Sequence, residues 1–111
     1  MDVNRLIQLI DAALAEADDF EKKYYVNKEW LMDGTRKSLL LLKSEVLLHP
    51  EKINNRVLRA MNDTGMASFK QFENSPLESA INKVTGFLYN EIPEYRHLKP
   101  LYGDFDKGDP I

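Results

Sequence analysis

The amino-terminal part of the chain has apolar residues that recur every three or four positions, which is the period of an α-helix. This repeat predicts an amphipathic helix over 3–24, which needs other elements to cover its apolar face. Asp2 or Asn4 can cap its amino end, while Lys22 and Lys23 lie where the helix dipole favours cations. The predicted inward face consists of Leu6, Ile10, Ala13, Ala17, Phe20 and Tyr24.

The next segment predicts a second helix, capped by Asn27 and ended by His49-Pro50. Asp33-Gly34 is a candidate interruption near its start. Apolar residues point in several directions around this helix, as is usual for a helix at the centre of a fold.

Two leucines of the second helix, Leu40 and Leu47, lie on its polar side, near Arg36, Lys37 and Lys43. Two interpretations stay open for this pair. Either another helix covers both side chains, or they form an apolar seam of the kind that marks a protein interface.

Pro50 is predicted to be the first residue of a third helix, because proline is favoured in a first turn. This helix is predicted to stop near residues 62–65, where Asn, Asp, Thr and Gly follow one another. Segment 66–73 is then a candidate for a short additional helix. The inward residues of the third helix are Ile53, Val57, Ala60 and Met61.

A capping box predicts the start of a fourth helix, since Ser75 is followed by Pro76 in the first turn and by Glu78 three residues later. Pro93 ends this helix. These elements predict an all-α fold, a single-domain bundle of four to five helices over residues 1–111. The core is expected to include Leu39, Leu42, Val46, Ile81, Val84 and Leu88.

The last nineteen residues contain three prolines and two glycines, which excludes a long helix. We expect an extended C-terminal segment that Leu101, Tyr102 and Phe105 anchor to the bundle. Three aspartates in this segment are expected to stay in water on a shared acidic edge: Asp104, Asp106 and Asp109.

The net charge is only −3, but charges of each sign are grouped along the chain. Residues 1–21 hold six acids and one base, residues 22–70 hold ten bases and five acids, and residues 71–111 hold seven acids and four bases. The pattern has two explanations. Charges can balance between helices of the same fold, or an acidic surface made from both ends can meet a basic partner.

No motif in the sequence indicates catalysis or a cofactor. The chain has no cysteine, which excludes disulfides and thiolate metal sites and fits a reducing compartment. The closing aspartates lack the glycine and glutamate positions of a calcium-binding EF-hand loop, and Glu94 to His97 supply only one of the two Glu-x-x-His motifs of a di-iron bundle. With neither a secretory signal nor a membrane span evident, we expect a cytoplasmic protein that is not an enzyme and needs no cofactor or metal.

A basic helix face made of Lys52, Arg56 and Arg59 offers an alternative function, that of a small nucleic-acid-associated regulatory protein. The overall acidity of the chain makes nucleic acid the less favoured partner.

A small, cysteine-free, acidic helical bundle that closes with "LKPLYGDFDKGDPI" resembles the immunity proteins of bacterial polymorphic and contact-dependent toxin systems. The resemblance implies a protein-binding inhibitor that neutralises a cognate toxin domain, often a basic nuclease, by direct binding. It transfers no site residues, because such proteins recognise different toxins with different surfaces. From charge and aromatic character, the candidate partner-binding residues are Asp18, Asp19, Glu21, Glu94, Tyr95, Asp104, Asp106 and Asp109.

Overall fold

The computed structural model describes residues 1–23 and 29–98. This part of the chain is helical and contains no strand, as predicted. Asn27, Tyr24 and the C-terminal residues Leu101, Tyr102, Phe105, Asp104, Asp106 and Asp109 lie outside the described residues. The helices are α1 (Val3–Lys23), α2 (Glu29–Leu48), α3 (Asn55–Gln71), α4 (Pro76–Glu91) and α5 (Pro93–Arg96).

Helix α1 begins where Asp2 caps it: the backbone N–H of Arg5 donates to Asp2 Oδ1 at 3.0 Å. The predicted inward face is confirmed over most of its length. Phe20 is half-buried, and its ring meets that of Phe72 edge-on at a centroid distance of 5.0 Å. The buried residues of α1 are Leu6, Leu9, Ile10, Ala13 and Ala17.

Helix α2 runs through Asp33-Gly34 without a break, so the interruption expected there is absent. A single glycine costs a helix about 1 kcal/mol relative to alanine, which the burial of several large side chains outweighs. The helix ends at Leu48, just before His49-Pro50, as predicted. Its buried apolar residues include Met32, Leu39, Leu42 and Val46.

The prediction that α3 begins at Pro50 is wrong. The helix begins at Asn55 because Asn54 caps it, accepting the backbone N–H of Arg56 on its side-chain oxygen at 2.8 Å. Pro50 lies in a turn before this cap, and Ile53 is buried although it precedes the helix.

The predicted end of α3 near 62–65 is wrong as well, since the helix continues to Gln71 and includes most of segment 66–73. Gly65 lies inside the helix, at a close contact with α4, instead of ending it. A Cβ placed on Gly65 would come within 2.9 Å of Thr85 Cγ2. Glycine is therefore present here because two helices approach closely.

Ser75 caps α4 as predicted, and its hydroxyl accepts the backbone N–H of Glu78 at 3.1 Å. The Glu78 carboxylate accepts a hydrogen bond from the backbone N–H of Asn74, one residue before the cap. Asn74 has a φ of 61°, a left-handed conformation that asparagine tolerates and that tightens the turn after α3. After α4 ends at Glu91, Pro93 opens the short helix α5.

The four long helices pack in a ring, with α1 against α2 and α4, and α3 against α2 and α4. Helix α5 packs on α4. The six core residues predicted from the sequence are all buried in one apolar cluster at the centre of this bundle. In the described residues, no helix is both long enough and apolar enough to cross a membrane.

Candidate protein-binding site

Acidic residues near the end of α1 pair with a base on α2. The guanidinium of Arg36 donates to Asp18 Oδ1 through Nε and Nη2, at 3.2 and 3.1 Å, and to Glu21 Oε2 through Nη1 at 3.1 Å. The hydrogen bond to Glu21, together with that to Asp18, raises the pKa of Arg36 against the opposing effect of burial. Two of the predicted partner-binding carboxylates, Asp18 and Glu21, thus join α1 to α2 while remaining exposed, and Asp19 beside them is exposed as well.

A third ion pair crosses the contact between α1 and α2, where Lys43 Nζ lies 2.7 Å from Asp11 Oδ1. Arg36 and Lys43 of α2 therefore partly neutralise the acidic residues of α1 across the contact between these helices. Intramolecular charge balance, one of the two explanations of the charge pattern, is confirmed for these residues.

The basic face expected on the third helix does not form. Arg59 is only 4% exposed, and Lys52 lies in the turn before α3, outside the helix. Arg36 and Lys43 are paired with acids of α1, so these two bases already have partners within the fold.

A groove of about 490 Å³ runs between α3 and α4. Two glycines shape it in different ways. Gly65 lets the helices approach closely at Thr85, whereas a Cβ added to Gly86 would have no neighbour within 4 Å, so the missing side chain leaves the groove open. The floor and walls are mostly apolar.

Large apolar side chains along the groove are left in contact with solvent. Met66 is 51% exposed, Phe69 68% and Tyr89 55%. Sequence reasoning missed Met66 and Phe69 because it placed 66–73 outside the third helix, and it assigned no role to Tyr89 although this residue lies in the predicted fourth helix. The detectable signal was the i, i+3 spacing of Met66 and Phe69 on a helix side that does not face the core.

Tyr95 of α5 closes one end of the groove and is only 6% exposed. Burial, with a smaller effect from the charge of Asp63, raises the pKa of its phenol to about 12. Arg96 holds α5 in place, because its guanidinium donates to the backbone oxygens of Tyr89 and Asn90 at the end of α4. The same guanidinium lies 5.5 Å from the centroid of the Tyr89 ring.

A cleft of about 560 Å³ lies between the start of α1, the turn before α3 and the end of α4, and Pro93 and Glu94 of α5 also line it. Glu51, Glu91 and Glu94 line it together with Lys52, and all four are exposed. We call this the acidic cleft. Within residues 1–23 and 29–98, no three acidic or histidine side chains come close enough together to hold a metal ion. Carboxylates spread in this way suit cationic side chains better than one small ion.

The predicted partner-binding residues of the described chain fall into two separate groups. Glu94 and Tyr95 are adjacent on α5, one in the acidic cleft and the other in the groove. Val3 also lines the acidic cleft, and Asp18 lies fifteen residues further along α1, about 22 Å away at 1.5 Å per residue. The fold therefore does not bring the α1 carboxylates to α5.

The chain matches no model of a known protein family. No curated protein and no solved structure matches it either.

Proposed function

We propose that this protein is a protein-binding inhibitor that recognises a basic partner with the surface around α5. The observation that carries the proposal is that this one short helix lines both surfaces, with Pro93 and Glu94 in the acidic cleft and Tyr95 in the α3/α4 groove. A partner that spans α5 can place an apolar side chain in the groove and cationic side chains in the cleft.

The groove supplies the features that give protein interfaces their affinity. Exposed aromatic and methionine side chains are enriched at the centre of interfaces, and apolar patches of this kind mark binding sites on soluble proteins. Phe69 and Tyr89 expose more than half of their surface beside a concave floor. Burying them against a partner would remove a large apolar area from water.

The acidic cleft supplies attraction at longer range. Carboxylates around a concave surface attract a basic protein and raise its association rate, more than they raise the final affinity. In agreement with the resemblance to bacterial immunity proteins, we propose a toxin domain as the partner. A nuclease-type toxin carries basic residues because it binds a polyanion, and these residues would face Glu51, Glu91 and Glu94.

The proposal predicts that a neighbouring gene encodes a larger effector. The primary test is co-purification with the toxic domain of that effector, followed by measured affinities of variants. Gly86→Gln places a side chain in open space within the groove, and we expect binding weakened by about tenfold or more, as for the loss of a central anchor. Gly34→Gln is the matched control, since Gly34 also lies in a helix with open space around it. Equal affinities for the two variants would contradict a role for the groove.

The cleft is tested separately with Glu94→Gln, and with Glu73→Gln as a control of equal charge change in the turn between α3 and α4. We expect slower association and a weaker salt dependence for Glu94→Gln alone. Binding of the parent protein to polynucleotide, with an affinity that falls steeply with salt, would instead favour the nucleic-acid alternative.

A further inference from the structure

Helix α5 is too short to hold its own position. It has four residues, no side-chain hydrogen bond caps its amino end, and Tyr95 is the one buried residue among the four. Isolated helices shorter than about 12–15 residues are marginal in water, so contacts with the rest of the fold must place this one. Part of that contact comes from three apolar side chains spaced three residues apart, which pack on the core: Ile92, Tyr95 and Leu98.

Apolar burial attracts α5 to the bundle but does not fix its orientation, because the hydrophobic effect is not directional. Hydrogen bonds are directional, since they weaken steeply when donor and acceptor are misaligned. The guanidinium of Arg96 supplies two of them, from Nε to the backbone oxygen of Tyr89 and from Nη2 to that of Asn90. Both acceptors are among the last four carbonyls of α4, which a helix leaves without an internal partner.

The fork geometry of arginine suits this pair of acceptors. A guanidinium is planar and presents its donors at fixed angles, so Nε and Nη2 of Arg96 reach two neighbouring carbonyls at once. A lysine ammonium has the same charge but no such fork. The guanidinium also lies 5.5 Å from the centroid of the Tyr89 ring, within the range of cation–π attraction. Arg96 therefore contacts one residue that borders the groove and orients the helix that holds another.

We propose that Arg96 is the positioning residue of the surface around α5, which sets Glu94 in the acidic cleft and Tyr95 at the end of the α3/α4 groove together. The inference rests on the proposed function, whose two surfaces are both lined by this helix. Glu94 and Tyr95 are adjacent in sequence, so a rotation of α5 displaces both side chains. Arg96 is exposed and lines neither surface, so it acts on a partner through these neighbours.

The first test uses the free protein and measures amide hydrogen exchange by NMR. Arg96→Lys keeps the charge but loses the fork. The N–H groups of Tyr95 and His97 donate to the backbone oxygens of Ile92 and Glu94, and their exchange should accelerate about tenfold or more, as expected when a hydrogen bond to a charged group is lost.

Arg56→Lys is the matched control for this test, because Arg56 is an exposed arginine on α3 and the charge is again unchanged. Exchange at Tyr95 and His97 should be the same in Arg56→Lys as in the parent. Equal exchange of these two groups in Arg96→Lys and Arg56→Lys overturns the proposal.

The second test measures the rate of association with the partner found by co-purification. Glu94→Gln should slow association in the parent, since it removes a carboxylate from the cleft. In the Arg96→Lys background the same change should have less than about half of this effect, because Glu94 is no longer held in its place; residues that depend on one another couple in this way. In the Arg56→Lys background the full effect should remain.

A loss of overall stability would not produce this coupling, because it leaves the effect of Glu94→Gln unchanged in the molecules that stay folded. Additive effects of Arg96→Lys and Glu94→Gln on the association rate therefore overturn the positioning role. The two tests also separate this inference from the proposed function. If α5 is loosened in Arg96→Lys but the protein binds no partner, the proposed function fails and the orientation of α5 by Arg96 stands. If a partner binds and exchange in α5 does not respond, the proposed function stands and the positioning role fails.

Discussion

Helices α1 and α2 meet along one seam, and helices α3 and α4 meet along another. Different interactions stabilise the two. The first is crossed by ion pairs, in which Arg36 binds Asp18 and Glu21 and Lys43 binds Asp11. The second depends on a close helix contact at Gly65 and leaves Met66, Phe69 and Tyr89 exposed. The polar groups of the first seam bind one another while staying partly exposed, and the second seam leaves apolar side chains in contact with solvent.

This difference shows where a binding surface can lie in a chain with strongly grouped charges. The charges at the end of α1 are prominent in the sequence, yet part of them serves to join two helices. The aromatic residues of α3 and α4 are less prominent, yet they border the groove. The uncovered apolar side chains therefore support the proposed binding surface, whereas the charges at the end of α1 are partly accounted for by ion pairs within the fold.

The largest expected effect on stability comes from a change in the apolar core of the bundle. Leu42→Ala should lower the free energy of unfolding by about 2–5 kcal/mol, the usual cost of such a change in a packed core, because Leu42 is fully buried. The adjacent Leu41 is 43% exposed, so Leu41→Ala should cost far less. Chemical denaturation measures both variants, and equal losses would mean that α2 is oriented differently.

The second prediction concerns the α3/α4 seam and compares its two glycines. Gly65→Ala brings a methyl group against Thr85, whose β-branched side chain has little freedom in a helix. Overpacking costs about 1–3 kcal/mol, which we expect to exceed the roughly 1 kcal/mol gained in helix propensity. In Gly86→Ala the added methyl group meets no neighbour, so this variant keeps only the gain in helix propensity. The two variants should therefore shift the melting temperature in opposite directions.

A rescue variant shows whether the close contact is the cause. Thr85→Ser removes the Cγ2 atom that the new methyl group would meet, so it should recover most of the stability lost in Gly65→Ala. In the parent background the same change should give no such gain. Additive effects of the two substitutions would argue against direct contact, because residues that touch are expected to couple.

Much of the fold was predictable because helical periodicity and caps are local signals. The face from Leu6 to Ala17 and the cap at Ser75 needed only spacing and residue type. Gly65 was misread as a helix end because glycine has two roles, ending helices and allowing close contact. Only the position of Thr85 on another helix decides between these roles, and that position is not a local property.

The candidate site was predictable only in part, for the same reason. Glu94 and Tyr95 were selected from the sequence, and both line the surface around α5. The pairing of Asp18 and Glu21 with Arg36 depends on how α1 packs against α2, which spacing along the chain does not determine. The burial of Arg59 likewise follows from tertiary packing and not from its helix position.

The third prediction tests the charged seam. Arg36→Gln removes both ion pairs and should cost about 1 kcal/mol at low salt, since pairs this exposed contribute little individually. The loss should shrink at high salt, where exposed charges are screened. Lys83→Gln, an exposed change on α4, is the control for net charge. A cost that does not depend on salt would indicate that packing of the Arg36 side chain, and not charge, joins the helices.

The smallest expected effect is confined to alkaline solution and tests the end of the α3/α4 groove. The pKa of Tyr95 is raised by burial from its ordinary value of 10.0 to about 12, so the folded state holds the phenolic proton more tightly than the unfolded state does. The resulting stability is fully present below about pH 10 and is lost as the pH rises toward 12.

Tyr95→Phe cannot ionise and should therefore lose less stability than the parent over this interval, while Tyr89→Phe, at an exposed position, should follow the parent. Both variants can be followed by denaturation at a series of alkaline pH values. If the Tyr95→Phe and parent curves stay parallel from pH 9 to pH 12, the phenol is accessible to water, and the groove is open at the end where α5 was expected to close it.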